Sequence, residues 1–412
     1  MMSPVQTVPI SGRKKFVFAV ISFFLAIFLL LGAGEVTLRV SSLFSKSYRS
    51  SPFRRYDPVL GISLIPNKDV THERGCFQGQ IHVNQWGMRD RDRTLAKAAG
   101  EFRIALVGDS LVEGPQVKMD EVMNIRMEKL LQQKGYNNVT VLNFGVEGIG
   151  TTQEYLMYRE QIRQFHPDLV ILVFVANDVM NNSSTLQPKC YGIHTWYCPY
   201  YNLGPNGDLI LQPVQTRYFN GLRSYLEEHS LLTYYVERSW ARYVNYTPYT
   251  WDGIYLAWQV YSDQSTPEWD RAWLVSEKVL ERYKRDVEGD GGKLVILSPP
   301  QLYETDLNWS TYFPQQEGKI PSTFNPKVYP EKLAEIAKQS GVPLESLTPY
   351  FQNYRDTHHL PPPYFSLSCD HHYSPLGHQV AAEAMVQKLE EGKWLPPSNP
   401  AQVVSRNNLH QN

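Results

Sequence analysis

The chain of 412 residues lacks an excess of charge of either sign and is poor in cysteine. Its 40 lysines and arginines face 41 aspartates and glutamates, which leaves a formal net charge of -1. Because a nucleic-acid partner requires a basic face, we expect none. The 4 cysteines form no CxxC motif, and no cluster of His, Cys, Asp or Glu has the spacing of a metal site. The sequence therefore predicts neither a metal nor another cofactor.

Long hydrophobic runs are absent with one exception near the N-terminus. Residues 16–34 carry no charge and follow three basic residues at 13–15. At about 1.5 Å of helix per residue, such a run crosses a hydrocarbon core of about 30 Å. We therefore predict a transmembrane helix at 16–34, with residues 1–15 as a cytoplasmic N-terminus. The alternative is a cleaved signal peptide, because small residues stand at 32–34.

The cysteines bear on which side of the membrane the rest of the chain lies. Cys190 and Cys198 flank a short loop and could pair, which leaves Cys76 and Cys369 as a second pair. Disulfides need an oxidising compartment, so this pairing predicts a domain on the periplasmic or extracellular side. Basic residues between 39 and 55 favour the opposite orientation, and four free buried thiols are the alternative to the disulfides.

From Phe102 onward, apolar runs alternate with helical patterns. Strands are predicted at 103–107, 139–142, 169–175 and 294–297, after an earlier one at 80–84, and helices at 122–134, 153–165, 269–287, 330–339 and 377–389. This alternation is typical of an α/β sandwich with a mostly parallel sheet. The predicted divisions are a connecting region at 35–100, a main domain at 101–393 with insertions at about 181–266 and 303–362, and a tail at 394–412.

Polar clusters stand where three predicted strands end and where the last predicted helix begins. They are Gly108-Asp109-Ser110-Leu111, residues 143–148, Ala176-Asn177-Asp178 and residues 370–378. Because ligands of open parallel sheets gather at the carboxyl ends of the strands, we expect these clusters to meet. A serine hydroxyl needs a base, a histidine suits that role near neutral pH, and a carboxylate orients the imidazole. An oxyanion needs preorganised donors.

These chemical needs assign a role to each candidate residue. We predict Ser110 as nucleophile, His372 as base and Asp370 as the carboxylate behind it. The oxyanion hole is predicted from the backbone of Ser110, from Gly148 and from the amide of Asn177. In the structural interpretation of these positions, Gly-Asp-Ser and Asn-Asp are turns with helix caps. Only the four clusters taken together favour a catalytic site.

The four clusters, in this order, resemble the blocks of the SGNH/GDSL hydrolase superfamily. The resemblance runs from about 103 to 389 and implies a flavodoxin-like three-layer α/β/α fold and ester hydrolysis. It supports Gly148 as the oxyanion glycine, because Gly148 stands five residues after Asn143; Gly145 is the second choice. One departure concerns the last block, whose commonest form has Asp three residues before His. Here Cys369 holds that position, so Asp370 is the least secure member of the triad.

Several neighbouring residues receive structural interpretations instead of catalytic ones. Asp109 is interpreted as a turn former, and His378 as a helix residue. The insertion at 181–266 is crowded with aromatics. It is either a lid whose rings stack on sugars, a cap that packs its own aromatics, or a surface lying against the membrane.

Three functions are compatible with these residues. The first is an esterase that removes acyl or acetyl groups from an extracytoplasmic glycan through an acyl-enzyme on Ser110. The second is an O-acetyltransferase of a cell-envelope polysaccharide that uses the same triad. The third is a catalytically silent glycan-binding protein on this fold. The expected partners are therefore an ester or acylated glycan and the membrane, while the sequence predicts no oligomeric state.

Overall fold

The computed structural model describes residues 11–44, 53–191, 198–214, 220–244, 250–251, 254–305, 322–362, 364–369 and 372–398. Its first element is the helix α1 (Gly12–Phe44), which extends beyond the predicted run at both ends. The part from Gly12 to Ser41 is long and apolar enough to cross a membrane, and its most apolar stretch is not buried against the rest of the protein. By these criteria α1 is either a membrane span or a signal sequence.

Two antiparallel hairpins follow α1. They are formed by β1 (Arg54–Asp57) with β2 (Gly61–Leu64), and by β3 (Lys68–Arg74) with β4 (Phe77–Val83). The sequence predicted only the last of these strands. β4 shows why, since its residues alternate between buried and exposed positions, whereas the other three strands lack that regular pattern.

The remaining elements follow in chain order. The first group is β5 (Phe102–Gly108), α2 (Ser110–Glu113), α3 (Met123–Gln133), β6 (Val139–Gly145), α4 (Thr151–Glu160), β7 (Leu169–Leu172), α5 (Ala176–Asn181) and α6 (Leu186–Tyr191). The second group is β8 (Tyr200–Leu203), β9 (Leu209–Gln212), α7 (Asn220–His229), α8 (Leu231–Val244), β10 (Thr250–Trp251) and β11 (Ile254–Tyr255). The last group is α9 (Pro267–Gly289), β12 (Lys293–Ser298), α10 (Leu302–Thr305), α11 (Val328–Ser340), β13 (Leu344–Ser346), α12 (Thr348–His358) and α13 (Pro375–Glu391).

Five of these strands form one parallel sheet in the order β6-β5-β7-β12-β13. Counted along the chain, the order is 2-1-3-4-5, which is the flavodoxin-like arrangement. In that arrangement the chain reverses its direction of winding between the first and third strands, here β5 and β7. The loops that leave these two strands carry Ser110 and Asn177 at the same edge of the sheet.

Helices cover both faces of the sheet, because the sheet strands are apolar on both sides. In β5, Ala105 and Val107 belong to one buried cluster, and Ile104 and Leu106 belong to the other. The first cluster includes side chains of α4, α9 and α11, and the second includes side chains of α3, α12 and α13. The three-layer α/β/α sandwich predicted from the sequence is therefore confirmed.

The aromatic insertion packs part of its rings into the first cluster. Tyr200, Tyr201, Trp258 and Tyr261 are buried, and the Tyr201 ring lies 6.1 Å from that of Tyr155 in α4. These four side chains support the cap interpretation of the insertion. Most of its other aromatic side chains, among them Trp196, Tyr197, Tyr246 and Tyr249, lie outside the described residues.

Candidate active site

Ser110 and His372 meet at the carboxyl edge of the sheet, although 262 positions separate them in the chain. The Nε2 atom of His372 lies 2.8 Å from the Oγ atom of Ser110. At this distance the imidazole can accept the hydroxyl proton, which is the geometry that a general base requires. The structure thus brings together the two residues on which the predicted chemistry depends.

Ser110 occupies the first position of α2, a single helical turn that is constrained by glycines at two places. Gly145, at the end of β6, lies so close that a Cβ there would stand 2.1 Å from the backbone nitrogen of Glu113. Gly114 ends α2 in the left-handed region, with φ 63. Close packing therefore explains why residue 145 is a glycine, and no oxyanion role is needed to account for it.

Gly148 and Asn177 lie in the loops that leave the two neighbouring strands. Gly148 has φ 81 and is exposed, and a Cβ at this position would meet no atom within 4 Å. Because packing does not require glycine here, the positive φ and the open space suit a backbone that approaches a ligand. Asn177 lies in the first turn of α5 and points its amide toward the Ser110 loop, where Nδ2 donates a 2.9 Å hydrogen bond to Asp109 Oδ2.

Asp109 links the predicted nucleophile to the predicted oxyanion donor. One carboxylate oxygen accepts a 3.0 Å hydrogen bond from the backbone nitrogen of Leu111, which caps α2, and the other accepts the Asn177 bond. Burial raises the pKa of Asp109, while the bond from Asn177 and the nearby His372 lower it. The Nδ2 atom of Asn177 carries two hydrogens. Asp109 can bind one of them, which leaves the second free to bind another acceptor. The turn-former interpretation is confirmed, but it missed this second contact.

The segment that carries His372 is held from three sides. Cys369, three residues earlier, forms a disulfide with Cys76, with 2.01 Å between the sulfur atoms. Ser374 caps α13 and donates a hydrogen bond to the carbonyl of Phe365. A Cβ at Gly377 would lie 2.3 Å from that same carbonyl, which explains the Ser-Pro-x-Gly pattern after His372. Asp370, the predicted third member of the triad, and its neighbour His371 lie outside the described residues.

The predicted pairing of Cys190 with Cys198 is wrong, whereas the predicted pairing of Cys76 with Cys369 is confirmed. Cys198 is a free thiol, so the Cys190–Cys198 disulfide is not formed. Burial raises the pKa of Cys198 to about 11, which keeps it as an unreactive thiol near neutral pH. The Cys76–Cys369 bond, by contrast, joins β4's hairpin to the segment of His372 across 293 positions.

Two arginines of the connecting region support the loops around Ser110, and neither was predicted from the sequence. The Arg54 guanidinium lies 2.6 Å from Glu113 at the end of α2 and 2.6 Å from Glu147, which precedes Gly148. Arg89 is fully buried and donates to the carbonyl oxygens of Gln80, Glu113 and Val117. Burial lowers the pKa of Arg89 to about 10, so it remains a cation. These contacts join residues that are far apart in the chain, so no local sequence pattern predicts them.

Beneath the site, buried carboxyl groups gather without a cation beside them among the described contacts. Glu154 and Asp178 are fully buried, and neither oxygen of Glu154 has a hydrogen-bond partner in the described part of the chain. Burial, then repulsion by neighbouring carboxylates, raises the pKa of both groups well above the ordinary range. The charged forms are therefore disfavoured directly under the loops of Ser110 and Asn177.

His378 is a helix residue, as the sequence predicted. It lies buried in α13 and packs against Gly114 at the end of α2. Burial, with Arg89 and Arg126 nearby, lowers its pKa to about 3. His378 is therefore neutral at physiological pH and lies behind the turn that carries Ser110. In the described residues, no group of three or more His, Cys, Asp or Glu side chains is arranged to hold a metal.

Comparison with known proteins adds the family. Residues 104–195 match the family described as GDSL-like Lipase/Acylhydrolase, a stretch that contains Ser110, Gly148 and Asn177. The matched stretch therefore resembles this lipase/acylhydrolase family, as the four polar clusters indicated, and the match supports an ester-bond hydrolase. No curated protein matches the chain.

Among solved structures, the chain is similar to several esterases. An acetyl xylan esterase, AlAXEase, has 14% identity and a TM-score of 0.38, and the match covers 70% of this chain and 100% of that one. A lipase/acylhydrolase from Enterococcus faecalis has 13% identity and a TM-score of 0.37, with 72% and 99% covered. A catalytic mutant of the acetylxylan esterase Axe2 from Geobacillus stearothermophilus has 13% identity and a TM-score of 0.36, with 71% and 96% covered. Likenesses this distant carry no argument about substrate.

Proposed function

We propose that this chain is a membrane-anchored serine esterase that removes acyl or acetyl groups from an extracytoplasmic glycan. The observation that carries the catalytic part is the 2.8 Å contact between Ser110 Oγ and His372 Nε2 at the switch point of the sheet. Its placement beside Gly148 and Asn177 supplies the donors that acyl transfer needs.

The reaction proceeds through two displacements. Ser110 Oγ attacks the ester carbonyl carbon as His372 takes the hydroxyl proton, and His372 then gives that proton to the departing alcohol oxygen. The second displacement repeats these steps with water in place of the serine, which frees the acid and restores Ser110. The backbone of Ser110, that of Gly148 and the Asn177 amide hold the oxyanion in both steps, and Asp370 orients the imidazole.

The location rests on two features of the chain. α1 is the only described helix that is long and apolar enough to cross a membrane. The Cys76–Cys369 disulfide favours an oxidising compartment for the domain that follows it. Together they support a single-pass protein whose catalytic domain lies outside the cytoplasm. The glycan is proposed because acyl groups of envelope polysaccharides are among the esters that such a location offers.

The catalytic assignment is tested with the full chain in detergent. Wild type is expected to hydrolyse p-nitrophenyl acetate, and Ser110→Ala is expected to lose at least about a thousandfold in rate, as triad variants do. Ser265→Ala removes an exposed serine hydroxyl on another part of the surface and should keep full activity. Equal activity of wild type and Ser110→Ala would contradict the assignment, provided that both unfold at similar temperatures.

A sugar acceptor separates hydrolysis from transfer. When an oligosaccharide is added to the same assay, an esterase should release free acetate and leave the sugar unmodified by mass spectrometry. An acetylated sugar that forms only with Ser110 intact would instead make the chain an O-acetyltransferase. If neither product forms and fluorophosphonate does not label the protein, the chain is a silent glycan-binding protein.

A further inference from the structure

α7 and α8 form a helical hairpin that packs against α1 where its apolar run ends. The Glu35 carboxylate accepts hydrogen bonds from the backbone nitrogens of Leu231 and Leu232, at 3.1 and 2.8 Å, and from the hydroxyl of Ser230, at 2.9 Å. It therefore caps the N-terminus of α8. A Cβ at Gly34 would lie 3.5 Å from the Leu232 side chain, so the two helices are in contact.

The level of this contact along α1 is fixed by charge. Glu35 is the first charged residue after the uncharged stretch 16–34. If that stretch fills the hydrocarbon core, Glu35 lies among the lipid head groups, since a carboxylate at the centre of a bilayer is costly. Arg39, one turn further, donates a 2.8 Å hydrogen bond to the carbonyl of His229 at the end of α7. The junction of α7 and α8 therefore lies at the level of the head groups.

The same hairpin exposes apolar side chains. Leu222, Tyr225 and Leu226 of α7 are 56%, 58% and 39% exposed, and Val236 of α8 is 57% exposed. The three residues of α7 are spaced i, i+3 and i+4, which places them on one face of the helix. Such a face is typical of helices that lie in a membrane interface, where tyrosine is also favoured.

We propose that the α7–α8 hairpin docks on the surface of the bilayer that α1 enters, as a second membrane contact of this protein. The occupant of the exposed face is thus the head-group and upper acyl region of lipid, continuous with the lipid around α1. The proposal rests on the membrane anchor of the proposed function. It goes beyond that function because it fixes the orientation of the catalytic domain on the membrane.

The hairpin also connects the membrane to the active site. α7 contacts β1, and Tyr234 of α8 lies within electrostatic range of the Arg54 guanidinium. Arg54 in turn pairs with Glu147, beside Gly148. One helix layer, about 10 Å thick, therefore separates the bilayer from the arginine that supports the predicted oxyanion loop. A docked hairpin holds the Gly148 side of the site toward the membrane.

The test uses the full chain in lipid nanodiscs, with an environment-sensitive fluorophore on one introduced cysteine. Leu226→Cys labels the proposed face, and Leu274→Cys on α9 is the matched control, since the two side chains are 39% and 43% exposed. Cys190 and Cys198 are first replaced by serine. Quenching by nitroxide-labelled lipid should be about threefold stronger at 226 than at 274, because interfacial helix faces lie about 5–10 Å into the head-group boundary. Quenching by aqueous iodide should show the reverse order.

Other outcomes are distinguishable. Equal exposure of both labels to iodide in an assembled nanodisc overturns the hairpin proposal while the anchor stands. A label at 226 protected from both quenchers indicates that a second copy covers the face, which also overturns it. Failure of the chain to enter nanodiscs, with α1 missing by mass, overturns the anchor itself. Leu222→Cys repeats the measurement on the same face if Leu226→Cys does not fold.

Discussion

Asp109 shows how one side chain can serve two partners that the sequence treats separately. It caps α2 behind Ser110 and accepts a hydrogen bond from the amide of Asn177, so it sets the relative positions of the proposed nucleophile and the proposed oxyanion donor. A turn former that is also a positioning residue has no separate sequence signature. The Gly-Asp-Ser pattern looks the same with or without an asparagine across the sheet edge.

The first prediction concerns Asp109→Asn. Asparagine still caps α2 through its oxygen, but its amide group cannot accept the hydrogen bond from Asn177. The Asn177 amide then loses its orientation, and kcat for ester hydrolysis should fall about a hundredfold with little change in KM, as when an oxyanion donor is lost. Steady-state kinetics of Asp109→Asn, Asn177→Ala and the double variant measure the coupling. Additive effects in the double variant would show that the two side chains act independently.

The second prediction concerns pH and His378. Its pKa of about 3 in the folded protein lies below the ordinary value of 6.5, so the unfolded chain binds this proton first as the pH falls. The stability is complete above about pH 6.5 and should decline from there toward pH 3, by up to about 1.4 kcal/mol per pH unit. His378→Gln removes this titration, and its thermal unfolding midpoint should fall less between pH 6.5 and pH 4.5 than that of wild type. His358→Gln, at an exposed position, is the control and should follow wild type.

Among the strands, burial determined which ones could be predicted from the sequence. The strands β5, β6, β7 and β12 are buried on both faces and therefore read as continuous apolar runs. β13 is three residues long and lies at the edge of the sheet, so it leaves no such run. The hairpin β1–β2 was not predicted because its strands are also short, with four residues each. Its Arg54 nevertheless supports the loop of Gly148.

The site was predictable to the extent that its chemistry is local. Ser110, Gly148, Asn177 and His372 each follow a strand or precede a helix, and the order of the strands brings them to one edge. Arg54 and Arg89 reach the site from the connecting region through long-range contacts. Those contacts depend on how the β-hairpins pack, which apolar periodicity does not encode.

The third prediction concerns the disulfide that joins β4's hairpin to the segment of His372. Cys76→Ser with Cys369→Ser should lower the free energy of unfolding by about 2–5 kcal/mol. It should also lower esterase activity at temperatures where the protein remains folded, because the segment that presents His372 loses one attachment. Activity and circular dichroism are followed together on heating. Cys198→Ser removes only a free thiol and should change neither.

For the whole molecule, α1 behaves as part of the fold. Gly34 packs against the Leu232 side chain of α8, so cleavage after the small residues at 32–34 would remove this contact, although Glu35 would stay in the chain. The contact between Gly34 and α8 is therefore kept only if α1 is retained.

The fourth prediction follows from this junction. When the full chain is expressed in a bacterium with two membranes, the mature protein should keep its N-terminal helix, by intact mass, and should resist extraction from membranes by alkaline carbonate. Protease added to spheroplasts should digest the domain beyond residue 44. A soluble product that begins near residue 35 would show that α1 is a signal peptide, and protection from protease would place the domain in the cytoplasm.

Ser110, activated by His372, is the proposed nucleophile of an ester hydrolase. Intact-mass and peptide analysis after fluorophosphonate treatment of the full chain tests it most directly. We predict one adduct on Ser110, none in Ser110→Ala, and labelling slowed by at least about a hundredfold in His372→Gln, since general base catalysis is lost. An adduct on another residue, or equal labelling of Ser110→Ala and wild type, would contradict it.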